Sequence, residues 1–216
     1  MKWIDIKTEV QVAYKAIGKG EQLYQDELYL MNAFERIESL WNCNFEKLQR
    51  VDYILISEAP LWQDRANYFY NEAAPLTQFL YKNDIGVPLG IQVRDKSDLF
   101  KVMADIGFVI LDASPLPLAE GFTSITYNRI SKKQYRILMQ AMIHSFLKKK
   151  MEMVLSKASD DVQFIFRYKR VEQALRDPIE IMLLELGVDN PSFTNIGQQG
   201  GGVDRNTVKS LLSIQK

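Results

Sequence analysis

Two kinds of side chain capable of chemistry stand close together in VDYILISEAPLWQDRANYFYN, Val51 to Asn71. Glu58 follows a short apolar run, and Tyr68, Phe69 and Tyr70 follow a polar loop a few residues later. A carboxylate beside flat aromatic faces makes a pocket for a planar, polar ligand, and a nucleobase is such a ligand. The same residues have a plainer reading, in which Glu58 is a strand-end carboxylate paired with a lysine and the aromatics are core. Further along, VILDASP carries Asp112 after a second apolar run, and DNPSF carries Asn190 and Ser192. Asp112 suits a turn or a helix N-cap equally well.

The elements that must position these groups follow from periodicity. EQLYQDELYLMNAFERIESLW, Glu21 to Trp41, spaces its apolar residues as a long helix does. VDYILIS is a buried strand of the kind found in parallel sheets. PLTQFLYKND reads as a helix opened by Pro75, and KSDLFKVMADIG as one capped by Ser97 and closed near Gly107. GFVILDAS is a second strand. The segment from Ser131 to Ser159 reads as one long amphipathic helix capped by Ser131, VQFIF as a third strand, and RYKRVEQALRD as a helix that Pro178 ends. PIEIMLLELGV fits helix or strand. A glycine-rich loop, DNPSFTNIGQQGGG, and a closing helix, VDRNTVKSLLSI, complete the chain. Alternating strands and helices predict a central, mostly parallel sheet with helices on both faces, in one α/β domain spanning residues 1–216, with a helical segment over 1–50 packed on it. Ligands bind beyond the carboxyl ends of such sheets, and SEAP, LDASP and the DNPSF loop are the segments expected there.

Composition bounds what the site can be. The 216 residues suffice for one domain with a full core. One cysteine, Cys43, excludes an internal disulfide and cysteine-based metal centres, and the sequence calls for no cofactor and no metal. No apolar run is long enough to span a bilayer, and MKWIDIKTEV contains no signal-peptide core, so a cytoplasmic location without membrane contact is expected. Lys plus Arg and Asp plus Glu both number 27, so non-specific affinity for duplex DNA should be weak. The basic runs KKQYR, KKK and RYKR read as solvated helix faces. GQQGGG lacks the Lys-Ser/Thr of a phosphate-binding loop.

ISEAP, YFYN, VILDASPLP and NPSF, in this order, resemble the motifs of the uracil-DNA glycosylase superfamily. In that family a first strand ends in a motif of the G-E-A-P-G type, an aromatic follows, a second strand ends in an L-L-N segment, and a late loop begins H-P-S or N-P-S. The resemblance covers Val51 to the C-terminus and implies a three-layer α/β/α, uracil-DNA glycosylase-like fold. It implies that Glu58 lies at the pocket floor and that Phe69 stacks on a flipped base, with Tyr68 and Tyr70 as alternatives in register. Asp112 then takes the place of the asparagine that reads the base edge, and Asn190, Pro191 and Ser192 match the late loop. On this basis Glu58 and Asn190 are the catalytic candidates, and Phe69, Tyr70, Asp112 and Ser192 the base-binding ones. GQQGGG, Gly197 to Gly202, resembles the family's backbone-clasping segment loosely.

Two positions depart from the family's pattern. Ala59 stands where the most active branch has a water-activating aspartate, and Asn190 where many members have a histidine. His144, the only histidine, lies outside all four motifs. Cleavage of an N-glycosidic bond needs donors for the departing base and a positioned water in a dry site. Glu58 is the first choice for holding that water and Asp64 the second. The expected function is recognition, with hydrolytic excision, of an altered base in DNA. The rival is a module that binds a base, nucleoside or nucleic acid without chemistry; Ala59 and Asn190 favour it, whereas Glu58, Phe69 and NPS favour the enzyme. The sequence does not indicate an oligomeric state.

Overall fold

Among the described residues, strands β1 (Val51–Ser57), β2 (Phe108–Asp112), β3 (Ala158–Phe166) and β4 (Phe193–Asn195) run parallel in the order β2-β1-β3-β4. This computed structural model describes residues 1–63, 67–74, 86–198 and 202–213. Every residue of β1 is buried, as a strand with neighbours on both edges and helices on both faces must be. Helices flank the sheet in the expected α/β/α layering. The residues expected to form the helix opened by Pro75, and Asp64, lie outside the described residues. No helix among the described residues is long and apolar enough to cross a membrane.

Helices α1 (Lys7–Ala16) and α2 (Gln22–Glu46) precede the sheet. α2 runs past Trp41, and Lys157 satisfies its end by donating to the carbonyls of Phe45 (3.1 Å) and Leu48 (2.7 Å), a favourable place for a cation. Side chains close the outer edge of β2. Trp41 Nε1 donates to the Ile110 carbonyl at 2.9 Å, and the Ile110 N–H donates to the Tyr70 hydroxyl at 2.8 Å. A bare edge would otherwise be open to pairing.

After the short α3 (Val87–Leu89) comes α4 (Lys96–Asp105), and its cap corrects the sequence reading. Asp95, not Ser97, accepts from the Asp98 N–H at 2.9 Å. An ionised cap is also better placed at a helix N-terminus than a hydroxyl. Gly107 then turns the chain into β2 at φ +65°, where a Cβ would stand 2.6 Å from the Asp52 carboxylate. Conformation and space both require glycine there.

The long helix expected from Ser131 onward is interrupted. Ser131 caps α5 (Lys132–Ala141) in a box with Gln134, but a π-turn, Ile143–Leu147, separates it from α6 (Lys148–Leu155). The Leu147 N–H reaches back to the Met142 carbonyl at 3.0 Å, a one-residue bulge. One extra residue rotates the following face by about 100°. Lys150 is thereby turned inward, while His144 stays exposed.

Pro178 does not end its helix: α7 extends over Lys169–Glu185. A proline leaves the carbonyl four residues earlier without its donor. Here that carbonyl belongs to Ala174, and Gln140 Nε2 donates to it at 3.1 Å. The glycine-rich loop contains β4, too short to register as a pattern, and α8 (Arg205–Ser213) closes the described chain.

Candidate functional site

Strand register places the tips. Ser57 pairs with Asp112, Ile56 with Phe166, and Phe166 with Asn195. Glu58, Asp112, Arg167 and the residues after Asn195 therefore share one end of the sheet. The ladder runs past β1 and β2, since Ala113 donates to the Ser57 carbonyl (3.1 Å) and Ser114 to that of Glu58 (3.0 Å). β2 lies on one side of β1 and β3 on the other, so the direction of winding reverses between β1 and β3. That point is where parallel sheets open a crevice.

Glu58 occupies this crevice with both oxygens engaged. Tyr135 donates to Oε1 at 2.7 Å, and Arg170 pairs with Oε2. Arg170 also donates to Asn128 Oδ1 (2.8 Å) and lies 5.4 Å from the Tyr135 ring centre. The Glu58 side chain is 12% exposed, whereas Arg170 is 45% exposed and forms the outer lip. Beneath them the Tyr127 hydroxyl reaches Ser114 Oγ (2.7 Å) and the Leu116 carbonyl (2.9 Å). Burial, reinforced by Glu58, pushes the Tyr135 hydroxyl well above its ordinary pKa, so it is a permanent donor. Buried Asp26 anchors the loop before Tyr127 by accepting from the Ser124 N–H and hydroxyl, both at 2.7 Å.

Asp112 stands one strand away. Tyr68 donates to it, and two voids of about 10 Å³ each touch it, each room for one water. Burial raises its carboxyl to about 7; the Tyr68 bond and Lys150 pull it down, while Glu38 and Glu58 push it up. Raised above the ordinary aspartate value, the folded carboxyl holds its proton where the unfolded one has lost it. The contribution of this group to stability is therefore greatest below about pH 4 and is lost as pH rises towards 7. Asp112→Asn, which removes the buried charge, is expected to stabilise the protein by roughly 2–3 kcal/mol at pH 8 and by little at pH 4. Urea denaturation at the two values measures it, and equal effects at both would remove the raised carboxyl.

Behind Asp112 lies a buried charge cluster. Lys150 Nζ is 2.7 Å from Glu38 Oε1, with side chains 2% and 4% exposed, and the chain's amino group, on Met1, lies 3.1 Å from Oε2. The Lys150 ammonium also sits 3.7 Å above the Trp41 ring. Its contact with Glu38 lies off hydrogen-bonding geometry, so the attraction is ionic.

The structure places Glu58 and Asp112 at one end of the sheet with Phe69 and Tyr70 lining a small void beside Asp112, and it sets Asn190 and Ser192 apart from them. Phe69 is 5% exposed and Tyr70 is similarly buried. Their rings pack on each other (5.1 Å) and on Phe100 (5.7 Å each), and the void they share with Asp112, about 10 Å³, is too small for a base. The aromatics are core, as in the plainer reading. Lys96, itself buried, holds this segment by donating to the carbonyls of Phe69 (2.7 Å) and Asn71 (3.1 Å). Asn190 and Ser192 precede β4 instead of following it, and Phe164 N–H donates to the Ser192 carbonyl. The length of β4, roughly 10 Å, separates them from the carboxyl end of the sheet. The NPS segment turns the chain into β4, with Asn190 at φ 53°, a conformation asparagine tolerates.

Tyr135 and Arg170 went unrecognised because KKQYR and RYKR read as solvated faces. A topological signal was available: Arg170 lies in the first turn of the helix after β3, hence at that strand's carboxyl end. No group of three or more metal-ligating side chains occurs among the described residues. No family model matches this chain, and neither a curated protein nor a solved structure does.

Proposed function

We propose that the carboxyl end of the sheet recognises a planar, hydrogen-bonding ring of the nucleobase type, free or carried on DNA. Asp112 reads its edge, and Glu58 is a fixed anchor. The observation that carries this reading is the pair of strand-tip carboxyls on adjacent strands, one tied to Tyr135 and Arg170, the other held by Tyr68 and titrating near neutrality at about 7. A protonated Asp112 donates to a ring carbonyl, whereas an ionised one accepts from a ring amino group. Arg170, at the lip, suits a phosphate or sugar oxygen.

Binding is favoured over excision by the state of Glu58. A carboxylate whose two oxygens already accept from Tyr135 and Arg170 is poorly placed to take a proton from water. Asn190, the other catalytic candidate, lies at the amino end of β4. The voids beside Asp112 each have room for one water only, so admitting a ring requires Ala59, Pro60 and Tyr68 to move outward.

Titration calorimetry with uridine, cytidine and single-stranded oligonucleotides containing either base tests the proposal. Saturable binding is expected, with the carbonyl-bearing base preferred at pH 6 and the amino-bearing base at pH 8. Asp112→Ala should weaken it about ten-fold, the scale of a lost edge hydrogen bond. Alkali treatment should reveal no strand nicks. Absence of binding to every ligand would refute recognition, and nicking that Glu58→Gln abolishes would turn the reading to excision.

A further inference from the structure

Five cations gather at the mouth of the crevice. Helices α5 and α7 run side by side in the same direction, because Arg170 lies 5.4 Å from the Tyr135 ring centre and, further along both helices, Gln140 donates to the Ala174 carbonyl at 3.1 Å. Their first turns therefore lie together, at the end of the sheet where Arg170 pairs with Glu58. Lys132, Lys133 and, one turn on, Arg136 come from α5, and Lys169 and Arg170 from α7, all of them exposed. KKQYR and RYKR, which read separately as solvated faces, are thus one surface.

Little in the protein balances this charge. Arg170 has Glu58 and Asn128, but Lys132, Lys133, Arg136 and Lys169 form no ion pair among the described residues. α5 contains no acidic residue, and Glu172, the one acid in the first two turns of α7, is occupied by Arg176 (2.8 Å) and Asn195 (2.7 Å). The arrangement also works against both helices. A helix N-terminus carries partial positive charge, so cations in its first turn are disfavoured, and Lys132 and Arg136, four residues apart, repel each other. A solvated face has no reason to collect like charges there, whereas a bound anion reverses the cost. Local rules are broken in this way at functional sites.

We propose that this face binds a chain of phosphate groups, that of a nucleoside 5′-diphosphate or triphosphate whose ring enters the crevice. The identity of the ring rests on the nucleobase reading, whereas the phosphate site rests on the five cations. Packed helices lie about 8–10 Å apart, so these side chains surround a span of a few phosphates and not a length of strand. The chain carries 27 basic and 27 acidic residues, so it also lacks the general positive field of a protein that tracks a polynucleotide. Arg170 joins the two parts of the site: it pairs with Glu58, which follows the Ser57 that pairs with Asp112 across the sheet.

Calorimetry on the full chain compares uridine, uridine 5′-triphosphate, inorganic tripolyphosphate and a short single-stranded oligonucleotide. At low salt the triphosphate should bind roughly ten-fold or more tightly than uridine, the scale of a few exposed charge-assisted contacts. That advantage should shrink as salt rises, because exposed charges are screened over about 10 Å at 0.1 M. Tripolyphosphate alone should bind as well. Lys132→Glu/Lys169→Glu should remove the triphosphate's advantage and leave uridine within about two-fold; it takes cations away from positive helix ends, so it should not cost stability. Tripolyphosphate binding without uridine binding would keep the phosphate site and remove the nucleobase reading. Uridine binding that the triphosphate does not improve would overturn the phosphate site and leave that reading standing. Failure of both phosphate probes to bind would overturn the site outright, and an oligonucleotide that binds more tightly than the triphosphate would overturn the free nucleotide as its occupant. The probe comparison uses the unaltered protein, so the test survives a variant that fails to fold.

Discussion

Phe69→Ala is expected to lower the unfolding free energy by about 3–5 kcal/mol, the range for deleting a core phenylalanine. The resemblance assigned this ring to base stacking, where truncation would cost roughly 1–3 kcal/mol of binding and little stability. Burial favours the first. Phe69 packs edge-on against Tyr70 and Phe100 with centroids 5.1 and 5.7 Å away, and Lys96 Nζ lies 5.5 Å from its ring centre. Lys96 also holds its carbonyl at 2.7 Å, so a collapse here loosens the segment that presents Tyr68 to Asp112. Urea denaturation measures the loss, and Phe69→Leu, which keeps most of the volume, should bind nucleosides within about two-fold of the parent protein. A nearly unchanged denaturation midpoint together with lost binding would restore the stacking role.

Lys150→Met is expected to be comparably damaging, at about 3–5 kcal/mol, because removing one member of a buried ion pair strands the other. Among the described residues Glu38 then keeps the Met1 ammonium alone, 3.1 Å away, and Trp41 loses the cation 3.7 Å above its ring. The double variant Lys150→Met/Glu38→Leu should be clearly more stable than the single one, since it removes the stranded charge. A double variant no better than the single would show that packing, not charge, sets the cost. Burial holds the Lys150 ammonium below its ordinary pKa, and Glu38 and then Asp112 pull it back up. Its removal should in turn let the Asp112 carboxyl rise further, moving the crossover between carbonyl- and amino-bearing ligands to higher pH. That shift follows charge and is not produced by a simple packing defect.

The sequence by itself determined the first three strands, most of the helices and their layering. A short, β-branched-rich apolar run such as VDYILIS reads as a strand covered on both faces, and strands alternating with amphipathic helices assemble into a parallel sheet between helices. It also determined that Glu58 and Asp112 stand at the same end, because parallel strands share a direction and both residues end apolar runs. Local chemistry carried the Ser131 cap as well, since a capping box closes within four residues.

What depended on groups distant in sequence was decided only in three dimensions. Pro178 stays inside α7 because Gln140, on another helix, supplies the donor that its ring removes. Lys150 is buried because a one-residue bulge rotates α6, and three consecutive lysines give no warning of that. β4 exists because β3 offers it an edge: three residues carry no periodicity of their own, and their placement moved Asn190 and Ser192 to the far end of the sheet. The partners of Glu58 lie 77 and 112 residues along the chain. Spacing is local, whereas the environment of a carboxylate is set by whatever the fold brings within a few ångströms. The tertiary structure alone therefore engaged both oxygens of Glu58 and buried Asp112, which raises its carboxyl pKa.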